Sequence, residues 1–411
     1  MSSPTRPSSG SEDSRASVEG AVAPARRRGA PASASSSRRR FGRSRGGSQL
    51  RIALLAPPWI PIPPPAYGGI ELVIAELAGG LVRHGHDVAL LAAPGSRSAA
   101  QVVPLLERDH AEQIGETLFE VDHVGRALAV IDDAARRGRP FDIIHDHSGF
   151  TLVAVADRVE VPVLHTMHGP FTEETTAFYR EHADKVWISA LSRAQLAAGP
   201  SGLRSVGAIP NPINMRAWPL EPRKERYLLW MGRMSEDKGA HRAIVAARDA
   251  GWPLVIAGPV QAGQQEFFDA EIAPHVDGRR VRYVDEVGGR RKRDLFARAS
   301  ALLMPIRWPE PFGMVMIEAM ACGTPVLAFP EGSVPEVVVD GVSGFIVDDE
   351  AAMAAAVDRL GELDPARCRA TVAERFDVEV VTRAYESAYR QVIAAEARAR
   401  LGRQPPVRSL P

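Results

Sequence analysis

The sequence reads as an α/β protein built from two doubly wound, Rossmann-like domains in tandem. Three observations carry this reading. At 411 residues the chain is too long for one ordinary core. Short continuous apolar runs alternate with helical segments along most of it, the pattern of parallel strands buried on both faces. The series breaks at a Pro-rich stretch, residues 210–225, and then starts again.

Residues 1–48 are Ser, Arg, Ala, Pro and Gly without hydrophobic period, too polar to offset the entropy of ordering, so a disordered tail is expected. Ten Arg against Glu12, Asp13 and Glu19 give residues 1–50 a charge of +7, which leaves −7 for the rest of a formally neutral chain. The bulk of the protein is therefore not built to coat nucleic acid. The Arg triplets at 26–28 and 38–40 read as a solvated tail, with contact to anionic lipid or RNA as the competing reading.

The first domain is expected over 49–215. RIALLA (51–56) opens it, followed by a Pro-rich loop and the segment IELVIAELAGGLVRHG, whose apolar spacing is helical and which Gly85 ends. DVALLA (87–92), FDIIH (141–145), VPVLHT (161–166), VWIS (186–189) and SVGAI (205–209) complete the strand series. After the break, read as a linker, RYLLWMG (226–232), PLVIAG (253–258), VRYV (281–284), ALLMP (301–305), PVLAF (325–329) and GFIV (344–347) predict a second domain over 226–376. In the last segment, 377–400, Asp377 serves as N-cap and Val381, Ala384, Tyr385, Ala388, Tyr389 and Val392 form one stripe of an amphipathic helix.

Several function classes drop out. Neither first strand-to-helix loop carries GxGxxG, which disfavours a nicotinamide or flavin site. Cys322 and Cys368 are the only thiols and make neither a zinc pattern nor a disulfide framework, so a reducing, cytoplasmic setting is expected. No stretch approaches the ~18 apolar residues of a membrane span, and the N-terminus has no hydrophobic signal core. Two open sheets face a ligand at the carboxyl ends of their strands.

The stretch RWPEPFGMVMIEAMACGTPV, 307–326, concentrates the chemistry. Pro311 pushes Glu310 out of the helical region, so Glu310 belongs to a loop and a helix is expected from near Phe312 to Cys322, stopped by Gly323. That helix is apolar on all sides, hence buried, and Glu318 within it needs donors. Adjacent sugar hydroxyls and a paired Arg satisfy it equally well. A phosphate on the free amides of Gly313 and Met314 would lie between the two carboxylates, which is the layout of a nucleotide sugar.

EPFGMVMIEAMACGTPV resembles the E-x7-E signature of the family 4 retaining glycosyltransferases, which have the GT-B fold. YGGIE (67–71), MGRMSEDKG (231–239) and GSVPEVVVDGVSGFIV (332–347) resemble, in order, that family's glycine-rich loop, its G-R-x-x-x-x-K-G element and the segment ending in D-G-x-x-G. Most of residues 51–395 fits. The resemblance implies two Rossmann-like domains across a cleft, acceptor side first and donor side second, with the C-terminal helix packing back on the first.

The implied reaction is transfer of a hexose, with retention, from a UDP-, GDP- or ADP-linked sugar to a glycan, lipid or small-molecule acceptor, with no cofactor and no metal. Donor contacts fall on Gly68, Gly69, Arg233, Lys238, Glu310, Phe312, Gly313, Met314 and Glu318. By residue type alone Arg233 and Lys238 read as surface charges; the resemblance turns them toward the diphosphate. Four histidines sit at two strand ends, His145, His147, His165 and His168; hydrogen bonding is favoured over a metal site. The resemblance places His168 at the catalytic centre, with His147 second.

Where the family often has Asn-Gly after a proline, this chain has Pro210-Asn211-Pro212, so Asn211 stands near the donor in a stiffened loop. The basic run 290–293 reads as a solvated helix start. A sugar-nucleotide epimerase and a non-catalytic sugar-nucleotide binder with a basic arm, peripheral to a membrane, are the competing functions.

Overall fold

The computed structural model describes residues 49–65, 68–261 and 263–403. The Arg-rich tail lies outside them, as does Tyr67 of the glycine-rich loop.

Two parallel sheets form the frame. The first contains β1 (Arg51–Leu55), β2 (Asp87–Ala92), β3 (Gln101–Pro104), β4 (Ile143–Asp146), β5 (Val163–Thr166), β6 (Trp187–Ala190) and β7 (Ser205–Ala208), in the order β3-β2-β1-β4-β5-β6-β7. The second contains β8 (Leu228–Met231), β9 (Leu254–Ala257), β10 (Val281–Tyr283), β11 (Ala301–Met304), β12 (Val326–Ala328) and β13 (Gly344–Ile346), in the order β10-β9-β8-β11-β12-β13. Central strands such as Ile52, Leu54, Ile143 and Leu228, Leu302, Leu327 are fully enclosed, which explains why they are apolar without alternation. β3 escapes the sequence reading because QVVP is short, carries a proline and is an edge strand with exposed ends.

The strand order reverses between β1 and β4 and again between β8 and β11. At these two switch points neighbouring loops diverge and leave a crevice. The chain's quoted motifs follow those four strands: the glycine-rich loop after β1, His147 after β4, Arg233 and Lys238 after β8, and Glu310 after β11.

The Pro-rich segment expected as a linker is packed into the second domain. Ile213, Met215 and Trp218 are buried in its core, because a connection carrying three large apolar side chains has surface to hide. The chain crosses between domains a second time beside the first. Ile213 N–H donates to Phe376 O at 2.9 Å, and Val378 N–H donates to Ile213 O at 2.9 Å.

From there the C-terminal helix, Val378–Arg403, returns to the first domain. Val381, Tyr385, Ala388, Tyr389 and Val392 join the core formed by Ile52, Leu54, Ile74 and Leu77. The first helix, Gly69–Arg83, passes so close that a Cβ on Gly80 would lie 2.1 Å from Thr382 Oγ1. Glu336 of the second domain accepts from the N–H groups of Arg193 (2.9 Å) and Ala194 (2.7 Å), capping a first-domain helix, Arg193–Ala198.

Candidate functional site

One cleft of about 1030 Å³ lies between the sheets and is lined from both domains. Gly68, Gly69, His147, His165, His168, Asn211, Arg233, Lys238, Glu310, Phe312, Gly313, Met314 and Glu318, all singled out from the sequence, border it, whereas His145 does not.

On the second-domain wall, the helix Met314–Ala321 begins two residues later than its sequence suggests. Gly313 takes φ +79°, and a Cβ there would meet Met316 Cε at 2.6 Å, so only glycine makes this entry turn comfortably. Phe312 faces inward, buried against Phe376 with ring centroids 5.5 Å apart, and anchors the turn from the core side. Glu310 stays in the loop. The GSVPE segment fixes it: Ser333 N–H donates to Glu310 O at 2.9 Å and Ser333 Oγ to Phe312 O at 2.9 Å.

Each signature carboxylate has a lysine. Lys238 Nζ stands 2.5 Å from Glu310 Oε2, which also accepts from Trp308 Nε1 at 2.9 Å. The same ammonium lies 3.9 Å from the centroid of the Trp308 ring. Burial lowers the Lys238 pKa, and Glu310 opposes that shift. Lys238, which the resemblance turns toward a diphosphate, meets Glu310 here, because a lysine in a water-poor cleft takes the nearest carboxylate. Arg233 is half-buried beside it with no side-chain partner among the described residues.

Lys292 Nζ stands 2.6 Å from Glu318 Oε1. Glu318 is 1% exposed and burial raises its carboxyl pKa, with Lys292 pulling it back. Of the two sequence expectations, the paired charge is present with lysine in place of arginine. The other oxygen, Oε2, is buried with no hydrogen-bond partner among the described residues, so the carboxylate is half satisfied. The basic run 290–293, expected as a solvated helix start, is corrected here too. It lies in the first turns of the helix Gly289–Arg298, and one of its four cations turns inward to the one buried acid within reach.

The first-domain side combines the acids Glu71, Glu76 and Glu120 with a group of imidazoles. His145 Nδ1 and Nε2 meet Tyr389 Oη and Thr166 Oγ1, each at 2.8 Å. His165 pairs with Asp146 Oδ2 at 2.7 Å and Tyr179 Oη at 2.8 Å. The rings of these two histidines are thus engaged in the fold. His147 Nδ1 lies 2.8 Å from His168 Nε2, so one imidazole donates and the other accepts. Burial pushes His168 down to about 3 and holds His145 and His147 well below the usual histidine range. These are uncharged hydrogen-bonding groups at neutral pH.

At the glycine-rich loop, Gly68 takes φ +145° and precedes the first helix. Glu71 lies against that N-terminus; a Cβ on Gly68 would come within 2.9 Å of Glu71 Oε2. Burial raises the Glu71 carboxyl to about 6. Asn211 is buried with Oδ1 unpartnered among the described residues. Sequence reasoning missed Lys292, Trp308 and Glu71 as cleft groups. Glu71 lies inside the quoted YGGIE, Trp308 inside the quoted RWPEPF and Lys292 in the basic run 290–293, so each stood beside a residue that was noted, and packing turns them into the cleft.

A cleft that joins paired cations and carboxylates to a group of buried imidazoles, at the switch points of two parallel sheets, defines the GT-B glycosyltransferase class. Known proteins agree. The profile "Glycosyl transferases group 1" matches residues 214–374 and "Glycosyltransferase Family 4" matches residues 67–206. A glycogen synthase of Mycobacterium tuberculosis is 27% identical, with 80% of this chain and 92% of the relative covered. A phosphatidyl-myo-inositol mannosyltransferase of Mycolicibacterium smegmatis is 25% identical, covering 84% and 95%. Among solved structures, AviGT4, a glycosyltransferase involved in avilamycin A biosynthesis, is 28% identical with a TM-score of 0.62, covering 84% of this chain and 98% of that one. The chain belongs to the family 4 glycosyltransferases. These relatives do not favour the epimerase reading.

Proposed function

We propose that the protein transfers a hexose from a nucleoside-diphosphate sugar to a hydroxyl acceptor with retained anomeric configuration. The observation that carries this reading is the unpartnered Oε2 of Glu318, buried within the helix Met314–Ala321 and facing the same cleft as the Lys238–Glu310 pair. A vicinal diol of ribose supplies the donors that Oε2 lacks, while Lys292 keeps the carboxylate ionised to receive them. The diphosphate then falls at the helix N-terminus, Gly313 and Met314, with Arg233 and Lys238 beside it. Glu310, released from part of its contact with Lys238, takes hydroxyls of the transferred sugar. Residues 226–376 hold the donor, residues 49–215 present the acceptor, and 377–400 tie the two.

As the sugar–phosphate bond breaks, negative charge grows on the leaving diphosphate. Two cations in a cleft stabilise it more than they stabilise the intact donor. The acceptor oxygen bonds to the anomeric carbon from the face the phosphate leaves, and its proton passes to a departing phosphate oxygen. No protein nucleophile takes part. Neutral His168, oriented by His147, offers a hydrogen bond to the sugar without competing for the proton. Asn211 stands where its free oxygen meets the donor.

Calorimetry with UDP, GDP and ADP sugars tests the donor site. Glu318→Ala is expected to weaken the bound nucleotide about 10- to 100-fold. Undiminished affinity removes Glu318 from the ribose. Product NMR reads the anomeric configuration; an inverted product refutes retention.

A further inference from the structure

The first-domain end of the cleft opens onto an apolar rim. Ile114 is 55% exposed and Phe150 is 43% exposed, and both line the cleft. Leu118 (72%) and Val121 (48%) are exposed at the start of the helix Thr117–Arg136, three residues apart and so on one face, with Glu120 between them bound to the Phe150 backbone. On the inner side the rim runs into Trp59 and Ile60 of the Pro-rich loop, which also line the cleft. Isolated exposed apolar residues are ordinary, but a group of them continuous with a ligand cleft is a binding surface.

The rim is held in place. Glu120 Oε1 accepts from the N–H groups of Phe150 (2.9 Å) and Thr151 (2.8 Å) and from Thr151 Oγ1 (2.7 Å), which clamps the Phe150 loop to the helix start. His110 N–H donates to Trp59 O at 3.3 Å and the His110 ring stacks on Phe119 at 3.7 Å, tying the loop before the helix to the Pro-rich loop. Phe150 itself packs edge-on against Phe178 at 5.1 Å.

Charge decides the occupant. Residues 107–126 carry Glu107, Asp109, Glu112, Glu116, Glu120 and Asp122 against only Arg108 and Arg126, and Arg126 is paired with Asp122 at 3.0 Å. Such a rim repels an anionic bilayer, a phospholipid headgroup or any polyanionic acceptor. We propose that the acceptor is an uncharged or cationic amphiphile whose hydroxyl end enters the cleft while its apolar body rests on Ile114, Leu118, Val121 and Phe150. This rests on the transferase reading above and adds the acceptor's chemical class to it.

The test titrates the full chain by calorimetry, with and without UDP, using 2-naphthyl β-glucoside, methyl β-glucoside and 2-naphthyl phosphate as probes. Burying much of a naphthyl group is expected to make the naphthyl glucoside about tenfold tighter than the methyl glucoside. Naphthyl phosphate is expected to gain nothing over the methyl glucoside. Ile114→Ser and Leu118→Ser, at exposed positions that leave melting unchanged, are expected to lose most of the naphthyl advantage while UDP binds as before. Phe150→Ser does the same if its melting point holds. Equal affinity for the two glucosides, no response to Ile114→Ser, or tighter binding of naphthyl phosphate overturns the proposal. So does capture by phosphatidylglycerol vesicles that Leu118→Ser abolishes, which assigns the rim to a membrane. Loss of UDP binding with the naphthyl preference intact removes the donor reading alone.

Discussion

The two walls of the cleft share a fold and differ in electrostatics. The second-domain wall is ionic: Lys238 with Glu310, Lys292 with Glu318, and Arg233 alongside. The first-domain side carries imidazoles: burial keeps His145, His147 and His168 uncharged, with His147 and His168 hydrogen-bonded to each other and His145 to Tyr389 and Thr166. The same strand-end positions serve both. The difference teaches that the doubly wound sheet supplies only the place, while the loops supply the chemistry. They set ion pairs on one side of the cleft and uncharged imidazoles on the other.

The sharpest way to break this contrast is to remove the ionic side. Lys238→Ala and Arg233→Ala are each expected to lower turnover about 100- to 1000-fold with a smaller loss of donor affinity. Equal losses in kcat and affinity would mean that the cations merely hold the ground state. Lys292→Met leaves the Glu318 carboxylate buried without its cation, and a cost of about 3 kcal/mol is expected in denaturant unfolding. An unchanged midpoint would show that Lys292 is a solvated charge.

Glu71 is one of three acids that line the first-domain side, and it sits in the first turn of a helix. Its folded pKa, about 6, lies above the ordinary carboxylate value, so the fold prefers it protonated. The penalty is absent below about 4.5, grows as pH rises through 6 and is complete above it, reaching about 2 kcal/mol. Glu71→Gln should therefore stabilise the protein at pH 8 and leave it unchanged at pH 4.5, as read by melting at each pH. Parallel curves for the two proteins would rule out this assignment.

The histidines act in the opposite sense. Their folded pKa values lie below the unfolded value near 6.5, so their contribution is full above that pH and declines as acid protonates the unfolded chain. Each costs on the order of 1 kcal/mol for the first pH unit below 6.5. His145→Gln removes one share of that slope, measured between pH 6.5 and 5.5. A slope identical to the parent's would mean that His145 is charged in the fold.

The strand runs were legible because burial on both faces leaves a continuous apolar signature, and RIALLA, DVALLA and ALLMP show it plainly. QVVP at β3 shows nothing of the kind, since an edge strand keeps its ends in water. Glu310 could be placed in a loop from its flanking prolines. The entry of the helix at Met314 could not, because the left-handed turn at Gly313 depends on where Phe312 finds its pocket against Phe376. The Pro-rich crossing looked like solvent-exposed chain, yet Ile213 and Trp218 had a core to join.

The sequence by itself determined the two-domain α/β class, the family and the motifs whose residues border the cleft, because local propensity and motif order are written in neighbouring letters. Tertiary structure decided which charge meets which. Lys292 and Glu318 are separated by a helix, a strand and a loop, and only the packing of Gly289–Arg298 against Met314–Ala321 brings them to 2.6 Å. Buried charges must find partners through space, and distance in space is what a linear sequence does not record.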